Sequence, residues 1–143
     1  TRAVAAVSED CGRTWTRSAV SNMRMDCTKP CAGTLSTGQH FLIGTTHADC
    51  RNTRSPLTIA LTAPGETVFS RIRTIRPSVF PAGPGESHPK ARLAYQHAVE
   101  HAGALYVAYS NNGGNVGRVG KGRELWNNNS AELAVIPLEA LRP

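Results

Sequence analysis

Two groups of residues in this sequence are of the right type and spacing for chemistry. The first is His97-Ala98-Val99-Glu100-His101, an H-x-x-E-H run. Two histidines at i and i+4 share one face of a helix, so both imidazoles could hold one ion beside the glutamate. On a strand the same histidines stand about 13 Å apart, too far to share a zinc whose bonds to nitrogen are about 2 Å long. The motif therefore depends on the element beneath it. The second group is the arginines, whose planar forks suit bidentate recognition of carboxylates and phosphates. They supply most of the basic charge: of 16 Lys+Arg, only Lys29, Lys90 and Lys121 are lysines.

A helix under the histidines has local support. Ser87 could cap it, Pro89 could sit in its first turn, and Ala91, Ala94, Tyr95, Ala98 and Ala102 fall at helical spacing before Gly103. The run then spells the inverted zinc-peptidase signature, and His97, Glu100 and His101 would serve a zinc hydrolase. Such a helix would stand alone among strands, which makes this the lesser reading. Cys27-x-x-x-Cys31 could form half of another zinc site, but no second matching pair exists. Cys11, Cys27, Cys31 and Cys50 are even in number; bridges after export and free thiols both fit.

The 143 residues suffice for one domain, and no stretch nears the about 18 consecutive apolar residues of a membrane span. Starting at Thr1, without Met, the chain reads as processed or partial. The net charge of +6 is dispersed apart from Arg71, Arg73 and Arg76. It reads as a solvated basic surface rather than a nucleic-acid patch, and it suits an anionic small substrate.

Most segments that must position these residues read as strands between Gly and polar turns: Ala3 to Val7, Phe41 to Gly44, Leu57 to Leu61, Leu105 to Tyr109 and Leu133 to Ile136. The first enters Ser8-Glu9-Asp10-Cys11-Gly12-Arg13-Thr14-Trp15, which is S-x-D-x-G-x-T-W, the Asp-box. Ser8 and Asp10 can close a tight turn on backbone amides, Gly12 supplies its backbone freedom, and Trp15 can cover the hairpin. A weak repeat follows. The order arginine, apolar strand, turn, Thr, aromatic starts at Arg2 and again at Arg54, with Phe69 standing where Trp15 stood. The strand-Gly-strand unit at Gly38 recurs at Gly103. Periods of about 50 residues are those of four-stranded propeller blades. The expected fold is all-β, a single incomplete propeller of about two and a half to three blades. Pro77 to Pro89 and Asn111 to Asn129 should be loops.

With its intact Asp-box and this strand order, the chain resembles the C-terminal portion of the sialidase (neuraminidase) superfamily, six-bladed propellers with Asp-box, or BNR, repeats. The resemblance implies that Arg54, opening the strand Leu57 to Leu61, belongs to the arginine triad that holds the substrate carboxylate. Arg2, before the Asp-box, resembles the preceding triad arginine. Tyr95 falls on the nucleophile position, in Leu93-Ala94-Tyr95-Gln96-His97. A neutral phenol suits an anomeric centre whose neighbouring carboxylate repels an anionic nucleophile, and it needs a base beside it. The resemblance places that glutamate, the acid/base aspartate and the first arginine in upstream blades. Gln96 stands where relatives often carry proline, and the turn Thr62 to Thr67 has lost its Asp, which marks a divergent branch. The implied activity is an exo-sialidase type of glycoside hydrolysis on a sialylated or other acidic glycan, with no cofactor required. The alternative from another class is a non-catalytic carbohydrate-binding propeller.

Overall fold

The computed structural model describes residues 2–25, 29–46, 54–78, 91–111 and 130–142. Among these residues, nine strands form three antiparallel sheets. In the first, β1 (Arg2–Ala5) pairs with β2 (Ala19–Arg24) across the Asp-box turn. The second runs β3 (Cys31–Thr34), β4 (His40–Gly44), β5 (Leu57–Thr62) and β6 (Phe69–Arg76), each paired with the next. The third is β7 (Leu93–His101), β8 (Ala104–Asn111) and β9 (Ser130–Pro137). The all-β expectation holds. Among the described residues only the middle sheet has the four strands expected of a blade, and no sheet closes on itself.

The middle sheet is covered on both faces, and the alternation of side chains along a strand explains how. Leu42 and Ala60 point one way, into a cluster with Met23 and Met25 that joins the first sheet. Phe41, Ile43, Leu57, Ile59 and Leu61 point the other way, packing with Leu93, Leu105, Val107 and Tyr109 of the third sheet. This is why β5 is buried at every position. An apolar run without alternation is the signature of such a two-sided strand. Asn22 ties the first two sheets through a 2.7 Å bond from its Nδ2 to the Phe69 carbonyl.

The segment over which a helix was conceivable is a strand as far as it is described: Leu93–His101 pairs along β8 from Leu93↔Asn111 to His101↔Ala104. Ala102 and Gly103, at φ 47° and 78°, form a two-residue turn of the kind that matches strand twist, so the residues before it are drawn into antiparallel pairing. Ser87 and Pro89 lie outside the described residues. So do all but the first two residues of the Pro77 to Pro89 loop, and 112–129 of the Asn111 to Asn129 loop; Asn111 itself ends β8. After β9 comes a short 3-10 turn, Leu138–Leu141. Gln39 Nε2 and Arg71 Nη2 donate to the Leu141 carbonyl, and Arg71 Nη1 donates to that of Arg142.

Candidate functional site

Tyr95 occupies an irregularity in β7. Ala94 pairs with Ser110 and His97 with Ala108, so Tyr95 and Gln96 together oppose the single residue Tyr109. That is a β-bulge, and bulges re-aim side chains. Tyr95 has φ 55°, in the left-handed region that bulky residues rarely adopt. The result is a division of labour between neighbours: Tyr95 is 53 % exposed, while Gln96 turns inward and is buried. Strained backbone at non-glycine residues recurs at active sites and ligand clamps.

Arg54 approaches from the segment that leads into β5. Its carbonyl accepts the Leu93 N–H at 2.8 Å, fixing it to β7 two residues before the tyrosine. Its guanidinium carbon lies over the Tyr95 ring, 5.4 Å from the centroid. A second cation, Lys29, places its Nζ over the same ring at 5.1 Å. Both distances are within the range of cation–π attraction. Gln96 holds this side of the site together: its Nε2 donates to the Ile43 carbonyl at 3.0 Å and also to the carbonyl of Lys29. Where a proline was expected by resemblance, the chain thus has a buried amide that fastens Lys29 to the middle sheet.

The structure brings together Arg54 and Tyr95. Arg2 lies exposed at the start of β1, opposite Arg24. Lys29 was missed by sequence reasoning. It lies far from Tyr95 in the chain, next to Cys27 and Thr28, which are outside the described residues, and nothing local marks it. Only the stacking of the sheets makes the two neighbours.

The H-x-x-E-H residues take other roles. His97 and His101 are exposed on one face of the strand, where their spacing of about 13 Å prevents them from sharing one ion. Glu100 faces away and accepts the Ser36 N–H at 2.8 Å, and its bonds to Ser36 hold its carboxyl below the usual range. Among the described residues no three His, Cys, Asp or Glu side chains group as a metal site requires. Cys11 and Cys31 are free thiols; Cys27 and Cys50 lie outside the described residues.

The Asp-box closes as its spelling dictates. Asp10 accepts from the Thr14 N–H at 2.8 Å and the Thr14 hydroxyl at 2.6 Å, and Ser8 Oγ donates to it at 2.9 Å. These bonds, Thr14's first, bring the Asp10 carboxyl down to about 2. The Gly12 N–H donates to Ser8 Oγ, and Trp15 Nε1 donates back to the Gly12 carbonyl. Trp15 folds over the turn yet stays 63 % exposed.

A second charged cluster is internal. Glu132 receives Arg76 Nε at 2.9 Å, the Tyr109 hydroxyl at 2.9 Å and Asn111 Nδ2 at 2.7 Å, joining β6, β8 and β9. Burial works to raise the Glu132 carboxyl, but the bonds from Arg76, Asn111 and Tyr109 outweigh it and the net shift is downward. Burial, with the Glu132 bond and charge, pushes the Tyr109 phenol well up. With an anionic carboxylate and a neutral phenol, this group locks sheets together; unlike Tyr95, it offers no exposed reactive atom.

No helix among the described residues is long and apolar enough to cross a membrane. Comparison of the chain with protein-family models, with curated proteins and with solved structures returns no match.

Proposed function

We propose that this chain carries the nucleophile and a carboxylate clamp of a propeller glycoside hydrolase of the exo-sialidase type, which removes a terminal acidic sugar. One observation carries the reading: Arg54 and the exposed, backbone-strained Tyr95 share one surface, 5.4 Å from guanidinium to ring centre. The stacked antiparallel sheets and the closed Asp-box turn agree with it.

In this reading Arg54 takes the sugar carboxylate through two charge-assisted bonds and sets the anomeric carbon against Tyr95. The phenol oxygen attacks, the bond to the leaving group breaks, and an acid protonates that group as it departs. Water then cleaves the tyrosyl–sugar bond, so configuration is retained. The phenol proton needs a carboxylate acceptor. Among the described residues none is bonded to the Tyr95 hydroxyl, so the reading assigns the base and the acid to residues beyond these. Arg2 enters as the further clamp arginine on resemblance alone.

The exposed ring with two cations over it also fits one rival, a non-catalytic site that binds acidic sugars. Tyr95→Phe separates the two. For a hydrolase, release of a chromophore from an acidic-sugar glycoside vanishes while sugar binding persists. In a protein that also carries the assigned acid and base, binding without any hydrolysis establishes the rival. Hydrolysis unchanged in Tyr95→Phe removes Tyr95 as nucleophile.

A further inference from the structure

We infer that Lys29 is a specificity-determining residue of this site, taking a second anionic group on the sugar whose carboxylate Arg54 holds. The preferred ligand is then a carboxylated sugar bearing another oxyanion, such as a sulfate or a second carboxylate. The inference rests on the proposed function above, which supplies the sugar and the role of Arg54.

Three observations support it. Lys29 and Arg54 come from different segments yet stand over the same ring, at 5.1 and 5.4 Å from its centroid. Neither forms an ion pair with a carboxylate among the described residues, where the ion pair formed is Arg76 with Glu132. Two cations over one exposed ring offer charge to more than one anionic group of a ligand that lies against it. Finally, the position of Lys29 is built. An exposed lysine on a loose loop would wander, but here buried Gln96 grips the Lys29 carbonyl and the Ile43 carbonyl with one amide nitrogen. Gln96 is the residue after Tyr95, so the bulge that turns the phenol outward also sets the anchor of Lys29.

The two cations differ in chemistry. The Arg54 fork matches the two oxygens of a carboxylate, whereas the ammonium is a compact point charge that accepts any oxyanion. A ligand with one carboxylate satisfies Arg54 alone. A doubly charged one engages both.

The test compares glucuronic acid with a monosulfated glucuronic acid by titration calorimetry at fixed ionic strength. The unsubstituted chain should bind the sulfated sugar about tenfold more tightly, the worth of one added charged contact. In Lys29→Gln the ratio of the two affinities should fall close to one, and in Lys29→Arg it should recover. Arg54→Gln should weaken both sugars, with circular dichroism confirming that each variant is folded. If glucuronic acid binds through Arg54 but sulfation brings no gain, or if Lys29→Gln keeps the gain, the assignment of Lys29 falls and the proposed function stands. If the unsubstituted chain binds neither sugar but binds sialic acid, the assignment of Lys29 alone falls; if it binds none of the three, both fall.

Discussion

Arg54 is joined to Tyr95 through its guanidinium, 5.4 Å from the ring centroid, and to the same strand through its carbonyl, which takes the N–H of Leu93. The second link matters as much as the first, because it sets the backbone just before the bulge. At φ 55° the tyrosine backbone is in a region that costs a residue with a Cβ about 1–2 kcal/mol.

That cost can be measured without the ring. Tyr95→Ala and Tyr95→Gly both remove the side chain and differ only in tolerance of positive φ. Urea unfolding should find the glycine variant more stable than the alanine variant by about 1 kcal/mol. The same pair at Val99, in regularly paired β7, should show the opposite order. Equal stabilities at Tyr95 would remove the strain from the argument.

The Glu132 cluster predicts a large loss from a small change. Arg76 and Glu132 side chains are 4 % and 13 % exposed, and removing one partner of a buried pair costs about 3–5 kcal/mol. Glu132→Gln should therefore lower the unfolding free energy by about 3 kcal/mol, whereas replacing both residues by methionine should cost less. The pH dependence has a definite sign. The Glu132 carboxyl is lowered in the folded chain, so its contribution is present above the unfolded carboxylate value and is lost as pH falls through the lower folded value. Acid unfolding curves of Glu132→Gln should lack this component.

What could be read from the residues alone follows from how local the signal is. The Asp-box is a self-contained hydrogen-bonded turn, so its spelling is enough. Leu57 to Leu61 is apolar except for Thr58 and so points to two-sided burial; Gly103 marks the β7–β8 turn. β7 was harder. Its alanines fit helical spacing as well as a strand, and the deciding force is pairing with β8. β2 and β6 mix arginine, serine and asparagine with apolar residues, and their place depends on the sheets they join. At the site, Arg54 and Tyr95 were reached only through the family resemblance. The bulge, the grip of Gln96 and the presence of Lys29 were not, since each arises from contacts between segments far apart in the chain.

The Asp-box turn offers a titration test. Asp10 is lowered to about 2, chiefly by the two bonds from Thr14. A folded value below the unfolded one means that the turn is favoured above about pH 4 and loses this contribution as pH falls toward about 2. A carbon-detected NMR titration should place the Asp10 midpoint near 2, with the Thr14 amide moving in step. In Thr14→Val the midpoint should rise toward that of an ordinary aspartate. An unshifted Asp10 in the unsubstituted chain would show that these bonds do not persist in solution.

Gly33 provides a packing test on the strand that borders the site. It pairs with Phe41, and a Cβ placed on it would lie 2.7 and 2.8 Å from two atoms of the Phe41 ring. Phe41 is buried among Ile43, Ile59 and Leu61, so the ring cannot step aside without disturbing the layer between the middle and third sheets. Overpacking of this kind costs about 1–3 kcal/mol. Gly33→Ala should lower the denaturation midpoint accordingly. Adding Phe41→Leu should recover part of the loss, because the smaller side chain vacates the space that the new methyl enters. Phe41 stands two residues before Ile43 on β4, and Ile43 offers its carbonyl to Gln96. The alanine variant should therefore also shift the Gln96 side-chain amide resonances, linking core packing to the placement of Lys29.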